Sequence, residues 1–330
     1  MKNFNLDSLP REKFCTLPTP IQPMKRLSDQ LSSVNIYIKR DDLTGIGFGG
    51  NKNRKLEYLL ADALLQNADT VITEGAVTSN HCLQTAASAA RVGIKCELVL
   101  SDSHIGDRVA GNLLLQHILD VKIHRVKDSS DRKTMMQQVA DDLTAAGKTP
   151  YIIPTGGSNK IGILGYINFV KEIAQQAKEM DIKFDYFVFA TGSAGTQAGL
   201  LAGKKLYYPK MDIKAITVGD GKDEIISSIK EIIKNFEELH TIDLDIKDEE
   251  IIVLDGYFGE GYGIPSKELI ATVKLIAKLE GVFLDPVYNG KAMIGLIDLV
   301  KQKRFEKDAN ILFLHSGGGP AIFAYDEYFQ

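Results

Sequence analysis

Apolar and polar positions along the chain fall into short alternating or fully apolar runs, which trade places with longer stretches of helical spacing. "VNIYIK" (Val34 to Lys39) alternates with period two and predicts a strand. "RDDLTGIGFGG" reads as a loop, after which Leu56, Leu59, Leu60, Ala63 and Leu64 return at helical spacing. "DTVIT" (Asp69 to Thr73) predicts a buried strand, "EGAVTSN" a loop, and "HCLQTAASAARVG" an alanine-rich helix that stops at Gly93. "IKCELVLS" is the next strand; alternation continues through "VKIHRV", a helix near "RKTMMQQVADDL" and "PYIIP". A long helix is expected from about Ile161, strands at "DYFVFA" (Asp185 to Ala190) and "IKAITVG", and helices near 224–238, 266–280 and 290–303. "NILFLHSGGGPAIFAY" predicts a strand, a glycine loop and a closing helix. Repeated strand–loop–helix units imply parallel sheets covered by helices, an α/β fold. No internal repeat or low-complexity linker interrupts the weave, and composition alone sets no domain boundary within it.

Composition narrows the class. At 330 residues and 44% apolar content the chain buries a large core, and two domains are expected rather than one. The 39 basic residues are outnumbered by 43 acidic ones, for a net charge of −4, which argues against a nucleic-acid partner. No apolar run reaches the roughly 18 residues a membrane span needs. The start, "MKNFNLDSLPREKF", has no signal-peptide core, so a cytoplasmic protein is expected. Cys15, Cys82 and Cys96 form neither a disulfide framework nor a zinc motif, and Cys82 reads as a small buried hydrophobe. The six histidines show no metal-ligand spacing, so no metal is expected.

The glycine loops carry the chemistry. Gly49-Gly50, Thr155 to Ser158, Thr191 to Thr196 and Ser316 to Gly319 each stand at a strand's C-terminal end before a helix. In open α/β sheets that edge holds the ligand. One such loop is an ordinary tight turn; four together point to a site. "ATGSAGTQAG" has the strongest phosphate logic. Gly192, Ala194 and Gly195 let the backbone approach an anion, and Ser193 and Thr196 add hydroxyls at a helix N-terminus. A nicotinamide site fits poorly. Gly192, Gly195 and Gly199 do not make GxGxxG, although Asp220 stands after the next strand where a ribose-binding acid would be.

"FGGNKNRKL" (48–56) puts Lys52 after two glycines, at the start of a helix, with Arg54 and Lys55 following. Together with "EGAVTSNHCLQTAA", "PYIIPTGGSNKIGILGY", "ATGSAGTQAGL", "YFGEGYGIPS", "LEGVFLDPVYNGKAMIGLID" and "ILFLHSGGGPAIFAY", this stretch resembles the D-cysteine desulfhydrase/1-aminocyclopropane-1-carboxylate deaminase family. These are pyridoxal-phosphate enzymes of fold type II. The matching stretches run in family order along nearly the whole chain and are weakest at about 220–250.

The resemblance implies two open, twisted, mainly parallel sheets with helices on both faces. It implies a large cofactor-binding domain (1–50 and 161–330), a small domain (51–160), an active site in the cleft between them, and a homodimer. The cofactor-bearing lysine falls on Lys52, and nearby Arg54, Lys55 and the helix start are expected to lower its pKa. Lys55, one turn along, is expected to reach the cofactor phosphate beside the "TGSAGT" amides. Ser79 and Asn80 suit a helix N-cap, and the same geometry grips a substrate carboxylate. The resemblance puts Ser79 and His81 at the substrate, His81 through its backbone, and Asn80 at both the substrate and the cofactor's ring oxygen. Tyr262 and Tyr288 match the two active-site tyrosines, which polarise the leaving group or relay its proton. Ser316 faces the pyridine nitrogen, where a hydroxyl leaves the ring a weaker electron sink than an acid would.

Three positions depart from the family pattern. Asn289 stands where ring-opening deaminases have Glu and desulfhydrases tend to have Thr; Thr78 replaces a Gln and Leu83 an Arg beside the substrate turn. The expected activity is β-elimination of sulfide from D-cysteine, giving pyruvate, ammonia and hydrogen sulfide. The alternatives are 1-aminocyclopropane-1-carboxylate deamination, a lyase for cysteate, diaminopropionate or β-chloroalanine, and a binding protein that kept the fold without catalysis.

Overall fold

The structure is a computed structural model that describes residues 4–103, 105, 108–219 and 221–330; Asp220 lies outside the described residues. Two sheets organise the chain. The strands are β1 (Ile21–Pro23), β2 (Val34–Arg40), β3 (Thr70–Ala76), β4 (Lys95–Ser101), β5 (Lys122–Val126), β6 (Pro150–Ile152), β7 (Tyr186–Thr191), β8 (Asp212–Thr217), β9 (Val253–Leu254) and β10 (Ala309–His315). The helices are α1 (Lys25–Leu31), α2 (Asn51–Leu65), α3 (Asn80–Val92), α4 (Gly111–Ile118), α5 (Arg132–Ala145), α6 (Leu164–Glu179), α7 (Gly195–Tyr207), α8 (Lys222–His240), α9 (Lys267–Glu280) and α10 (Asn289–Lys301). The larger sheet runs β1-β2-β10-β7-β8-β9 and the smaller β5-β4-β3-β6. Only the β1–β2 pair is antiparallel.

Period-two alternation explains the layers. Phe187 and Phe189 of β7, with Leu312 and Leu314 of β10, pack on one face of the larger sheet against Tyr166, Phe169 and Val170 of α6 and Leu200 and Leu201 of α7. Val188 and Ala190, with Ile311 and Phe313, pack on the other against Leu269 and Val273 of α9 and Met293 and Leu296 of α10. Both faces are thus covered, as a parallel sheet requires.

Several boundaries differ from the sequence expectation. β3 continues through Glu74, Gly75 and Ala76, because those residues ladder with Val99, Leu100 and Ser101 of β4. α6 begins at Leu164 rather than near Ile161, since Asn159 Oδ1 accepts from the Ile161 and Gly162 amides and holds a turn there. The expected closing helix is instead two short 3₁₀ turns, Gly319–Ala324 and Asp326–Phe329, the first opening on Pro320.

The start of α2 is fixed from two sides. Gly50, at φ 135°, bridges to Gly317; a Cβ on Gly317 would lie 2.5 Å from the Gly50 Cα, so only two bare backbones can meet there. The Asn51 amide donates to the Ser316 carbonyl at 2.9 Å, which binds the Lys52 loop to the end of β10. Below it, Arg54 turns away from the sheet edge into a buried ion cluster. Its Nε and Nη2 donate to Asp41 at 2.9 and 2.8 Å, and its Nη1 and Nη2 to Glu172 at 2.9 and 3.0 Å. The Tyr166 hydroxyl donates to Asp41 at 2.8 Å, and Lys39 pairs with Glu172 at 2.5 Å.

Candidate active site

A cavity of about 560 Å³ opens where the C-terminal ends of both sheets face each other. Lys52 of α2 lines it, with Ser79, Asn80 and His81 at the start of α3. From the larger sheet come Gly192, Ser193 and Ala194 after β7, Thr196 in the first turn of α7, and Ser316 after β10. Tyr262 and Tyr288 close a further side. Two expected residues stand behind the wall. Gly195 packs on Ser158, and Lys55, fully buried, donates to the Gly156 carbonyl at 3.0 Å.

Lys52 is half-buried, with Nζ 3.0 Å from Asn51 Oδ1. Burial pulls its ammonium down to about 8, opposed by the Asp285 carboxylate. The expected help from neighbouring cations is not the cause. Arg54 is neutralised in its own cluster. Burial, and then the Lys52 charge, drive Lys55 well below its ordinary value.

The segment 192–196 has the shape of an anion cradle. Ala194 holds φ +66° without being glycine, and α7 starts immediately after it with first-turn amides that have no intrahelical acceptor. Ser158 Oγ accepts from the Gly195 amide at 3.2 Å and donates to Ser193 Oγ at 3.0 Å, while Asn51 Nδ2 reaches Thr196 Oγ1 at 3.3 Å. Hydroxyls and amides at a helix N-terminus suit a phosphate. The donor set therefore fits pyridoxal phosphate, with the Lys52 amine inside the same cavity.

Ser79 caps α3, its Oγ accepting from the Cys82 amide at 3.2 Å. The His81 ring turns into the smaller sheet, with Nε2 2.8 Å from Thr73 Oγ1. The Thr73 hydroxyl donates to the Ile153 carbonyl, so it accepts from His81 Nε2–H. Burial holds this imidazole neutral. Cys82 is fully buried, its thiol pushed up to about 12. The Tyr262 and Tyr288 hydroxyls are 2.6 Å apart; burial and the neighbouring phenol push Tyr288 well above the usual range.

Four residues near the site were missed in the sequence. Ser158 stands in "TGGS" and Asp285 in "LDPVY", both motifs noticed for other residues. Asp285 is fully buried and accepts from the amides of Val287, Tyr288 and Asn289 at 2.9, 2.8 and 2.9 Å and from Asn289 Nδ2 at 2.6 Å. Arg132, in the outer wall 3.5 Å from Glu74, and Tyr325, buried beside the two tyrosines, had no local pattern to mark them. Asn289 is buried and does not line the cavity. Its Nδ2 donates to Asp285 and to the Gly317 carbonyl (2.7 Å), and its Oδ1 accepts from the Ser316 amide and hydroxyl at 2.9 and 3.1 Å.

Comparison with known proteins gives the family. Residues 14–317 match the family described as pyridoxal-phosphate dependent enzyme. A D-cysteine desulfhydrase of Klebsiella pneumoniae subsp. pneumoniae is 43% identical over 329 residues, 97% of this chain and 98% of that protein. A crystal structure of an ACC deaminase homologue superposes with a TM-score of 0.90 at 39% identity, covering 98% of this chain and 96% of that one. The processed form of threonine deaminase isoform 2 from Solanum lycopersicum, 17% identical, shares the fold at a TM-score of 0.66 over 92% of this chain and 80% of its own. With the match spanning most of its length, the chain belongs to the pyridoxal-phosphate-dependent enzymes.

Proposed function

We propose that this enzyme is a lyase that eliminates sulfide from D-cysteine, giving pyruvate, ammonia and hydrogen sulfide. The observation that carries the reading is Ser316 in the cavity wall, its neutral hydroxyl donating to the neutral Asn289 amide behind it, with no acid side chain at either position. The relative named D-cysteine desulfhydrase, 43% identical along nearly its whole length, supports the substrate.

Pyridoxal phosphate, when bound, supplies a conjugated ring that draws electrons from an amino acid's α-carbon. Lys52 holds it and, as a desolvated amine, takes the α-proton at Nζ, with Ser79 Oγ alongside. Gly192 to Thr196 bind the phosphate, with Lys55 supporting from behind Gly156. Asn80 would meet the ring oxygen and Ser316 the pyridine nitrogen. The first turn of α3, at Ser79 to His81, orients the substrate carboxylate. Of the two phenols 2.6 Å apart, one O–H is used within the pair and the other is free to meet the departing sulfur. A thiol's pKa of about 8.5 makes that departure undemanding, whereas opening a cyclopropane has no such leaving group.

The division into residues 1–50 with 161–330, and 51–160, with the active site in the cleft between them, is supported by the two sheets, whose strands fall on either side of it. A homodimer is part of this reading, and Phe48, Phe283 and Phe323 are exposed side chains that it could cover. Cys15, Cys82 and Cys96 are free thiols, which supports the cytoplasm.

Steady-state assays test the substrate. kcat/KM for D-cysteine should exceed that for 1-aminocyclopropane-1-carboxylate by at least about tenfold. A higher value for the cyclopropane acid refutes the reading, and inertness toward both favours cysteate, diaminopropionate or β-chloroalanine. The cradle is tested by Gly195→Leu. A Cβ there would lie 2.6 Å from Ser158 Oγ and 2.8 Å from its Cα, so the two loops must part. Overpacking of this kind costs about 1–3 kcal/mol, which weakens cofactor binding by roughly tenfold or more. An unchanged cofactor titration in the folded variant would remove this loop from phosphate binding.

A further inference from the structure

A relay of donors and acceptors behind the cavity decides which end of the Asn80 amide faces Asn112 and which faces Gly318. Asn112, the second residue of α4, is 1% exposed and does not line the cavity. Its Nδ2 donates to the Thr78 carbonyl and to Asn80 Oδ1, both at 2.7 Å. A backbone carbonyl can only accept, so Asn112 must present nitrogen on this side. Asn80 must then answer with oxygen, because two facing NH₂ groups would leave both donors unmatched. Its Nδ2 is left on the opposite side, where a Cβ on Gly318 would lie 2.9 Å from it. Asn112 is itself held in place: Gly111, at φ +55°, approaches so closely that its Cβ would lie 2.6 Å from the Pro320 carbonyl oxygen.

We propose that Asn112 is a positioning residue that holds Asn80 as an N–H donor toward the ring oxygen of the bound cofactor. The proposal rests on the reading that places Asn80 at that oxygen. Without Asn112 nothing on the far side holds the Asn80 amide in this orientation, so its donor is ordered toward the ring oxygen less firmly. The role differs from general support of the fold, because it sets the polarity of one side chain.

The test follows the absorbance of the cofactor-loaded enzyme against pH, together with cofactor affinity by equilibrium dialysis. Asn80→Ala should raise the pH at which the ring oxygen takes a proton by about one to two units, the worth of a hydrogen bond to a charged group, and Asn112→Ala and Asn112→Ser should each raise it by a smaller amount. The double variant Asn80→Ala/Asn112→Ala should shift no further than Asn80→Ala alone. Asn112→Ser, which removes the amide but leaves room for water, carries the test if Asn112→Ala does not fold. If Asn80→Ala shifts the titration and the folded Asn112 variants do not, the role of Asn112 is overturned and that of Asn80 stands. If Asn80→Ala shifts nothing, the placement of Asn80 falls, and this proposal with it.

Discussion

Replacing Lys52 by Ala should remove the visible absorbance of the bound cofactor and lower turnover by at least about 10³-fold. Lys52 is the cavity-wall amine whose ammonium burial brings near neutrality. Lys55 cannot stand in for it, because its Nζ is committed to the Gly156 carbonyl behind the wall. Lys291 cannot either, since it donates to the carbonyls of Val218 and Gly261. A variant that kept both absorbance and turnover would remove Lys52 from its role. The pH dependence has a definite sign. Capture of pyridoxal phosphate by cofactor-free protein requires the neutral amine, so its rate should rise with pH through about 8 and level off above it. Stopped-flow absorbance would show this; a midpoint near the ordinary lysine value would mean that the amine is solvated.

The largest loss of stability is expected from Arg54→Ala, about 3–5 kcal/mol. The guanidinium is 1% exposed and holds two carboxylates, Asp41 being 0% exposed. Removing it leaves a buried charge with only Thr19 and Tyr166 hydroxyls to satisfy it. The midpoint of chemical denaturation of the cofactor-free protein measures the effect. A change below about 1 kcal/mol, the range of surface pairs, would show that the cluster is hydrated. Because the cluster ties α2 to α6 and to the end of β2, a folded variant should also hold Lys52 less firmly.

Long elements were legible in the sequence, and short ones were not. "DYFVFA" and "NILFLH" are unbroken apolar runs of strand length, the mark of a strand covered on both faces, and each delivers alternate residues to opposite core layers. β1, with three residues, and β9, with two, are too short to show a period and exist through their neighbours' ladders. The full length of β3 is hidden for a different reason, since Glu74 and Gly75 are poor strand formers recruited by β4. The candidate site was legible where local geometry announces chemistry, as at the glycine loops and the α3 cap. It was hidden where function depends on residues far apart in the chain. Asn289 stands in the sequence as a neutral replacement for the family's Glu or Thr, and nothing local shows that its amide is spent on Asp285, Gly317 and Ser316. Nothing local to "GNLLLQHI" reveals that Asn112 reaches Asn80.

The strand order also dictates a sequence of events on the ribosome. The smaller sheet is drawn from one unbroken stretch, Thr70 to Ile152, and can close as soon as that stretch emerges. The larger sheet cannot. β2 is made early, but its parallel partner over all seven residues, Val34 to Arg40, is β10, which is translated last of the ten strands and also supplies the neighbour of β7. Until Ala309 to His315 emerge, β2 and β7 each carry a bare edge able to pair with another nascent chain. A message truncated before Ala309 therefore yields a polypeptide with a finished smaller half and two open seams in the larger, a substrate for chaperones and proteases rather than a weakened enzyme.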